Sequence, residues 1–256
     1  MKQTLVLTFS LFVLLLGCSS EDSSNPNASV DFTFTHTWDG AIIDQNNLTS
    51  ILVTNANGET LNFTRIRYLV SRFELVNVDT GATITFNDYK FTDLAQPLSY
   101  NFTPAANVIP RGSYRLKFIW GFNEEDNVDG AYPDLNSASW NWPAPLGGGY
   151  HFLQMDGQYN INSMPSNYNY HNGTARLNDD PPTFEQNFRE ISFDEIIAIN
   201  GNSSIEVVMN FAEFFKNPHQ WDLNVLDTPL MPNYMAQKMM QENVATVFSL
   251  GDITQN

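Results

Sequence analysis

The feature that most constrains the fold is an alternation of apolar and polar side chains along several short segments. In Val30–Trp38 the even positions are Val, Phe, Phe, His and Trp, whereas the odd positions are Asp and Thr. Tyr114–Phe122 and Ile205–Phe211 alternate in much the same way. Side chains that repeat every second residue share one face of a β-strand, so each segment predicts a strand with one buried face.

Turn signals separate the strand-like segments, and helical spacing is confined to the C-terminal region. Asn55–Gly58 lies between two short apolar runs, Ser50–Thr54 and Thr60–Thr64, which predicts a hairpin. In Met231–Glu242 methionines recur at four-residue intervals, so we expect a short helix that packs its Met face on the sheet. The sequence therefore predicts an all-β fold: an antiparallel β-sandwich with long loops and a short C-terminal helix.

The N-terminus has the features of an exported lipoprotein. Residues 1–17 contain Lys2 and an apolar run too short to span a membrane, which is typical of a signal peptide. The run ends in Leu-Leu-Gly before Cys18, the only cysteine, and resembles a bacterial lipobox. We expect cleavage before Cys18, acylation of its thiol, a lipidated flexible tether over 18–29, and a folded domain over 30–256.

Composition narrows the class of partner. The chain carries 28 acidic against 12 basic residues, for a net charge of −16, so it has no basic surface with which to neutralise phosphates. Nucleic acid is therefore excluded as a partner. We expect a bacterial cell-envelope protein, periplasmic or surface-exposed, that reaches a membrane through its lipid anchor.

The four histidines are the best candidates for metal ligands. His36 lies on the apolar face of its strand, and His151 alternates with Leu153 and Met155, so both are expected to point inward. His171 follows a Tyr-Asn-Tyr run, and two tryptophans, Trp140 and Trp142, lie upstream. Neutral imidazoles from different strands can bind copper or zinc, although single inward histidines are usually core residues.

Other motifs are weaker. Glu124–Gly130 is acidic but lacks the bidentate Glu of a calcium loop, so it reads as a surface loop. Gly147–Gly149 precedes a strand rather than a helix, which does not suit a phosphate cradle. Asp156 has no identifiable carboxylate partner, and no Gly-x-Ser-x-Gly motif occurs. A hydrolase is therefore the least supported function.

Several segments, in order, resemble the MbnP-like family, named after a protein associated with methanobactin copper uptake. The matching segments run from about Val30 to Phe248 and are Phe34–His36 with Gly40, Arg65–Leu75, Trp140–Trp142, Gly149–Gly157, Tyr170–His171, Glu242–Asn243 and Val247–Phe248. Two features depart from the family pattern: the longer insertion Pro143–Gly148, and Asn172 in place of the first glycine after the histidine.

The resemblance implies an extracytoplasmic, non-enzymatic protein that binds copper through histidines. By position it implies His36 and His171 as ligands, with His151 as an addition. It also implies that a tryptophan, among Trp38, Trp140 and Trp142, is oxidised to kynurenine by a di-haem peroxidase-like partner. The alternative is a metal-free glycan- or ligand-binding surface lipoprotein, which predicts that Trp140 and Trp142 lie on an open surface.

Overall fold

The computed structural model describes residues 25–255, and strands dominate it. The strands are β1 (Asn27–Trp38), β2 (Ala41–Ile42), β3 (Val53–Thr54), β4 (Thr60–Leu61), β5 (Arg65–Asn77), β6 (Thr83–Asp93), β7 (Asn101–Phe102), β8 (Val108–Pro110), β9 (Gly112–Trp120), β10 (Leu153–Tyr159), β11 (Ser166–Asn172), β12 (Ala175–Leu177), β13 (Thr183–Glu185), β14 (Arg189–Ser192), β15 (Ile197–Ile199), β16 (Ser203–Asn210) and β17 (Phe248–Gln255). The α-helices are α1 (Pro133–Ser137) and α2 (Tyr234–Asn243), and the 3-10 turns are Pro97–Tyr100, Ala144–Leu146, Phe211–Phe215 and Val244–Thr246.

Two large sheets build the fold. The six-stranded sheet has the order β17-β16-β1-β2, with β7 and β8 also paired to β1. The nine-stranded sheet has the order β14-β9-β5-β10-β4-β3, with β11, β15 and β6 on additional edges, and β12 pairs with β13. The predicted all-β sandwich is confirmed. Most pairs are antiparallel, but β1 and β16 run parallel over eight residue pairs.

The two faces of the nine-stranded sheet have different neighbours. Tyr68 and Tyr170 lie on the face toward the six-stranded sheet, where Tyr68 packs against Phe34 of β1 and Tyr170 against Phe214. Neighbours along a strand point to opposite faces. Arg67 and His171, next to those tyrosines in sequence, therefore lie on the outer face, and the register aligns both with Gln154. The main core lies between the sheets, and the segment that includes α1 covers the outer face.

The ends of the chain refine the predicted boundaries. β1 begins at Asn27, three residues before the predicted domain start, because Ala28 is buried and pairs with Ile109. The predicted hairpin forms as β3 and β4, shorter than expected.

The predicted signal peptide, Cys18 and the tether as far as residue 24 lie outside the described residues. No helix within residues 25–255 is long and apolar enough to span a membrane.

The C-terminal helix forms, but not with the expected Met face inward. Its buried positions are Ala236, Gln237, Met240 and Asn243. Met235 is 65% exposed instead. The spacing of the methionines predicted the element correctly but not its rotation, because the helix turns a buried amide toward the sheet.

Candidate metal centre

His151 and His171 lie in contact on the outer face of the nine-stranded sheet. Their ring centres are 5.3 Å apart and their planes meet at 80°. Rings that share one metal through bonds of about 2 Å have centres roughly 4.5 to 6 Å apart. His151 precedes β10 and does not continue its alternation, so the expectation that it shares the face of Met155 is wrong. The glycine bend at 147–149 directs the chain so that His151 packs on His171 instead.

The surroundings of His151 determine which of its nitrogens is free. Its Nδ1 lies 3.0 Å from the backbone oxygen of Trp140. Because a carbonyl oxygen can only accept, Nδ1 carries the proton and Nε2 presents a lone pair. Burial, and secondarily the neighbouring His171, lowers the pKa of His151 to about 3. The ring is therefore neutral near pH 7, the form in which imidazole binds metals.

Asp156 orients His171 in a similar way. His171 Nε2 lies 2.8 Å from Asp156 Oδ1. Burial by itself would raise the pKa of this carboxyl, but the hydrogen bond from His171, with contributions from Asn169 and Arg65, lowers the pKa to about 2. The carboxylate therefore accepts a hydrogen bond from Nε2, so Nδ1 is the ring nitrogen of His171 that is left to bind a metal. A carboxylate behind the distal nitrogen is the usual arrangement of a metal-binding histidine.

Trp140 and Trp142 pack against His151. The ring centres of Trp142 and Trp140 lie 4.9 Å and 5.4 Å from that of His151. Trp142 Nε1 donates to the backbone oxygen of Leu146, whereas Trp140 Nε1 is buried and has no hydrogen-bond partner among the described residues. The guanidinium of Arg67 lies over Trp140, 5.3 Å from the ring centre. The two indoles therefore exclude water from the side of the site formed by His151.

Both tryptophans are almost fully enclosed, with exposed fractions of 0% for Trp140 and 1% for Trp142. An open aromatic surface, which the glycan-binding alternative predicts, is therefore absent at these residues. That alternative loses the observation on which it was based, because Phe91 and Arg67 pack on Trp140 and Gly173 lies against the ring of Trp142.

His36 and Trp38 lie elsewhere, on the other side of the nine-stranded sheet. His36 Nε2 is 2.9 Å from the hydroxyl of Tyr68, and its ring stacks on Phe211. Trp38 contacts Phe63 and donates from Nε1 to a backbone oxygen of the β3 hairpin. Since Tyr68 faces the main core and His171 the outer face, the sheet separates His36 from the histidine pair.

Within residues 25–255 the histidine pair does not belong to a group of three or more His, Cys, Asp or Glu side chains placed to hold a metal ion. His151 and His171 fit copper as two imidazole ligands, because copper accepts histidine nitrogen. A further ligand would come from another residue type, from solvent or from a modified side chain.

Comparison with known proteins decides the family. The family model described as MbnP matches residues 27–236, most of the chain. The chain belongs to the MbnP family. A solved structure, MbnP from Methylosinus trichosporium, superposes with a TM-score of 0.58 at 13% identity and covers 88% of this chain and 98% of that one. No curated protein matches the sequence.

The structural similarity at this identity shows a shared fold, and the MbnP family model shows membership. The matched region contains both histidines of the pair, both adjacent tryptophans and Asp156. Sequence reasoning noted Asp156 only as an isolated carboxylate. Its alignment with Asn169 across β10 and β11, two positions from the Gln154–His171 pair, is visible only in the sheet register. Arg67 belongs to the strand-like segment Arg65–Leu75, and nothing in its sequence position indicates its contact with Trp140.

Proposed function

We propose that this member of the MbnP family is an extracytoplasmic, lipid-anchored copper-binding protein whose ligands include His151 and His171. The family links the chain to methanobactin-associated copper proteins. The observation that carries the assignment of ligands is the contact between two imidazoles, each of which already has one ring nitrogen hydrogen-bonded to an acceptor. Such a pair leaves one nitrogen of each ring to bind a metal in a site from which indoles exclude water, and exclusion of water favours Cu(I).

Competition titration against a chromophoric Cu(I) chelator tests this assignment. We expect His151→Ala and His171→Ala each to lower the affinity at least tenfold. His219→Ala is the matched control, because His219 pairs with Glu242 away from the site. Equal copper binding by the wild type and all three variants would refute the proposed ligands. Tighter binding of zinc than of copper, measured in a parallel titration with zinc, would refute copper as the metal.

The position of Trp140 and Trp142 also supports oxidation of one of them, the modification that the family resemblance implies. Both contact His151, whereas Trp38 contacts neither member of the histidine pair. A peroxide would supply the oxidising equivalents, and a di-haem peroxidase-like partner would transfer them to the indole. Mass spectrometry of peptides from protein isolated from its native host would locate the modified residue. If both indoles are unmodified in native protein that holds copper, the proposed oxidation of Trp140 or Trp142 is refuted.

Lipid anchoring through Cys18 is proposed from the sequence. The expected result is that the full-length chain, expressed in a bacterium, partitions with membranes and carries acyl groups on its N-terminal cysteine. Cys18→Ala should release the protein into the soluble envelope fraction. Membrane association that survives this substitution would contradict the anchor.

A further inference from the structure

The side chain of Gln237, on helix α2, contacts the end of the strand that carries His171. Gln237 is fully buried. Its Nε2 donates to the backbone oxygens of His171, at 2.7 Å, and Leu230, at 3.2 Å. Its Oε1 accepts from the backbone N–H of Gly173 at 3.1 Å and from Asn172 Nδ2 at 3.2 Å. One amide therefore holds three consecutive residues of the chain around His171.

These contacts complete the open edge of β11. Among the described residues β11 pairs only with β10, so the groups on its other side need partners from outside the sheet. The amide of Gln237 supplies both an acceptor and a donor there, as a peptide group of a neighbouring strand would. A buried polar side chain is costly unless its hydrogen bonds are made. The four bonds explain why a polar residue occupies the buried face of α2.

Asn172 connects Gln237 to the chain segment that carries His151. Asn172 Oδ1 accepts from Trp120 Nε1 at 3.2 Å, and the Asn172 backbone oxygen accepts from Phe152 N at 2.7 Å. Phe152 is adjacent to His151. Asn172 is thus hydrogen-bonded both to Gln237 and to the backbone of Phe152, the residue after His151.

We propose that Gln237 is a positioning residue for the histidine pair. From the C-terminal helix it sets the distance and orientation between His171 and His151. The inference rests on the proposed copper site. Gln237 is the first residue beyond the region 27–236 that the family model matches. Through these hydrogen bonds the C-terminal helix contributes to the proposed site, and removing the amide loosens His171 without removing a ligand.

The test compares two glutamines of one helix. Gln241 lies one turn later and also donates to a backbone oxygen, that of Phe188 at 3.0 Å, which is not in β11. Gln237→Met and Gln241→Met remove the same amide and keep a similar side-chain volume. We expect Gln237→Met to weaken Cu(I) binding at least tenfold and to alter the electron paramagnetic resonance spectrum of the Cu(II) form. Gln241→Met should leave both within experimental error of the wild type.

A metal-free measurement separates this inference from the copper proposal. Imidazole nitrogen NMR of the apo protein should show one sharp His171 signal set in the wild type and in Gln241→Met. In Gln237→Met those signals should shift or broaden, while those of His36 stay unchanged. Unaltered His171 signals in folded Gln237→Met would overturn the positioning role. If the wild-type protein binds no copper but Gln237→Met still changes the His171 signals, the copper site is refuted and the positioning role is retained.

If Gln237→Met does not fold, Gln237→Asn supplies the second variant. It keeps the amide, but its side chain is one methylene shorter, so the amide no longer reaches the backbone groups of His171 and Gly173. It should perturb His171 signals in the apo protein and weaken copper binding. An unperturbed His171 in that variant counts against the inference.

Discussion

The imidazoles of His151 and His171 meet edge to face on one side of a β-sheet, and one nitrogen of each ring is hydrogen-bonded to an acceptor. His151 donates to a backbone oxygen, and His171 donates to Asp156. Both protons are held by acceptors that cannot themselves donate. In the proposed copper site, the other nitrogen of each ring is therefore the one that would bind the metal. Substitution of the acceptor residues tests the site without removal of a ligand.

Asp156→Asn should weaken copper binding about 10- to 100-fold, because the amide is a poorer partner for His171 Nε2. Asp227→Asn is a matched control, since Asp227 accepts from Tyr159 in a part-buried contact outside the pair. Chelator competition measures both variants. An Asp156→Asn affinity equal to that of Asp227→Asn would show that the carboxylate does not support the site.

His36→Ala should destabilise the fold and leave copper affinity within about twofold of the wild type. The substitution opens a cavity in the main core and leaves the Tyr68 hydroxyl without its partner, which together cost about 2 to 4 kcal/mol. Denaturant unfolding of the metal-free protein measures the free energy, and competition titration measures the affinity. Loss of copper binding in the folded variant would place His36 among the ligands and contradict the separation by the sheet.

Acid should destabilise the metal-free protein through its buried histidines. Burial lowers the pKa of His36 and His151 from 6.5 to about 3. Between these values the unfolded chain binds more protons than the folded chain. The free energy of unfolding therefore falls as pH drops from about 6.5 toward 3, by up to about 1.4 kcal/mol per pH unit for each histidine.

Asp156 adds a separate loss at lower pH. Its pKa is lowered from 3.8 to about 2, so its contribution is complete above pH 3.8 and disappears as pH falls toward 2. Denaturant unfolding from about pH 2 to pH 8 measures the combined dependence. His36→Leu should reduce the slope between pH 6.5 and 3 by about half, and an unchanged slope would contradict the assigned burial effect.

Gly149→Ala should disturb the site more than an equivalent change elsewhere. Gly149 has φ +81°, and an added Cβ would lie 2.4 Å from Asn127 Oδ1, which accepts from the N–H of Tyr150. Gly130 has φ +74° with no atom within 4 Å of an added Cβ, so Gly130→Ala carries the backbone strain alone. We expect Gly149→Ala to lose about 1 to 3 kcal/mol more stability. Equal unfolding free energies for the two variants would contradict this.

Much of the framework could be predicted from sequence, because alternation reports directly on half-buried strands. Val30–Trp38 was expected to bury its even positions, and it does so along β1. The helix near residue 234 was also expected, but its rotation was not, since Gln237 rather than the Met face packs inward. A polar residue takes a buried position there only because the edge of β11 offers it hydrogen-bond partners.

The sequence by itself determined that strands would present histidines and tryptophans to buried surfaces, and its order of motifs determined the family. Only the tertiary structure decided which of these residues share a surface. Alternation with period two distinguishes the two faces of one strand, but it carries no information on which face a neighbouring strand or loop will cover. The glycine bend before His151 and the register that aligns His171 with Gln154 brought two histidines together on the outer face, and the sheet itself keeps His36 apart from them.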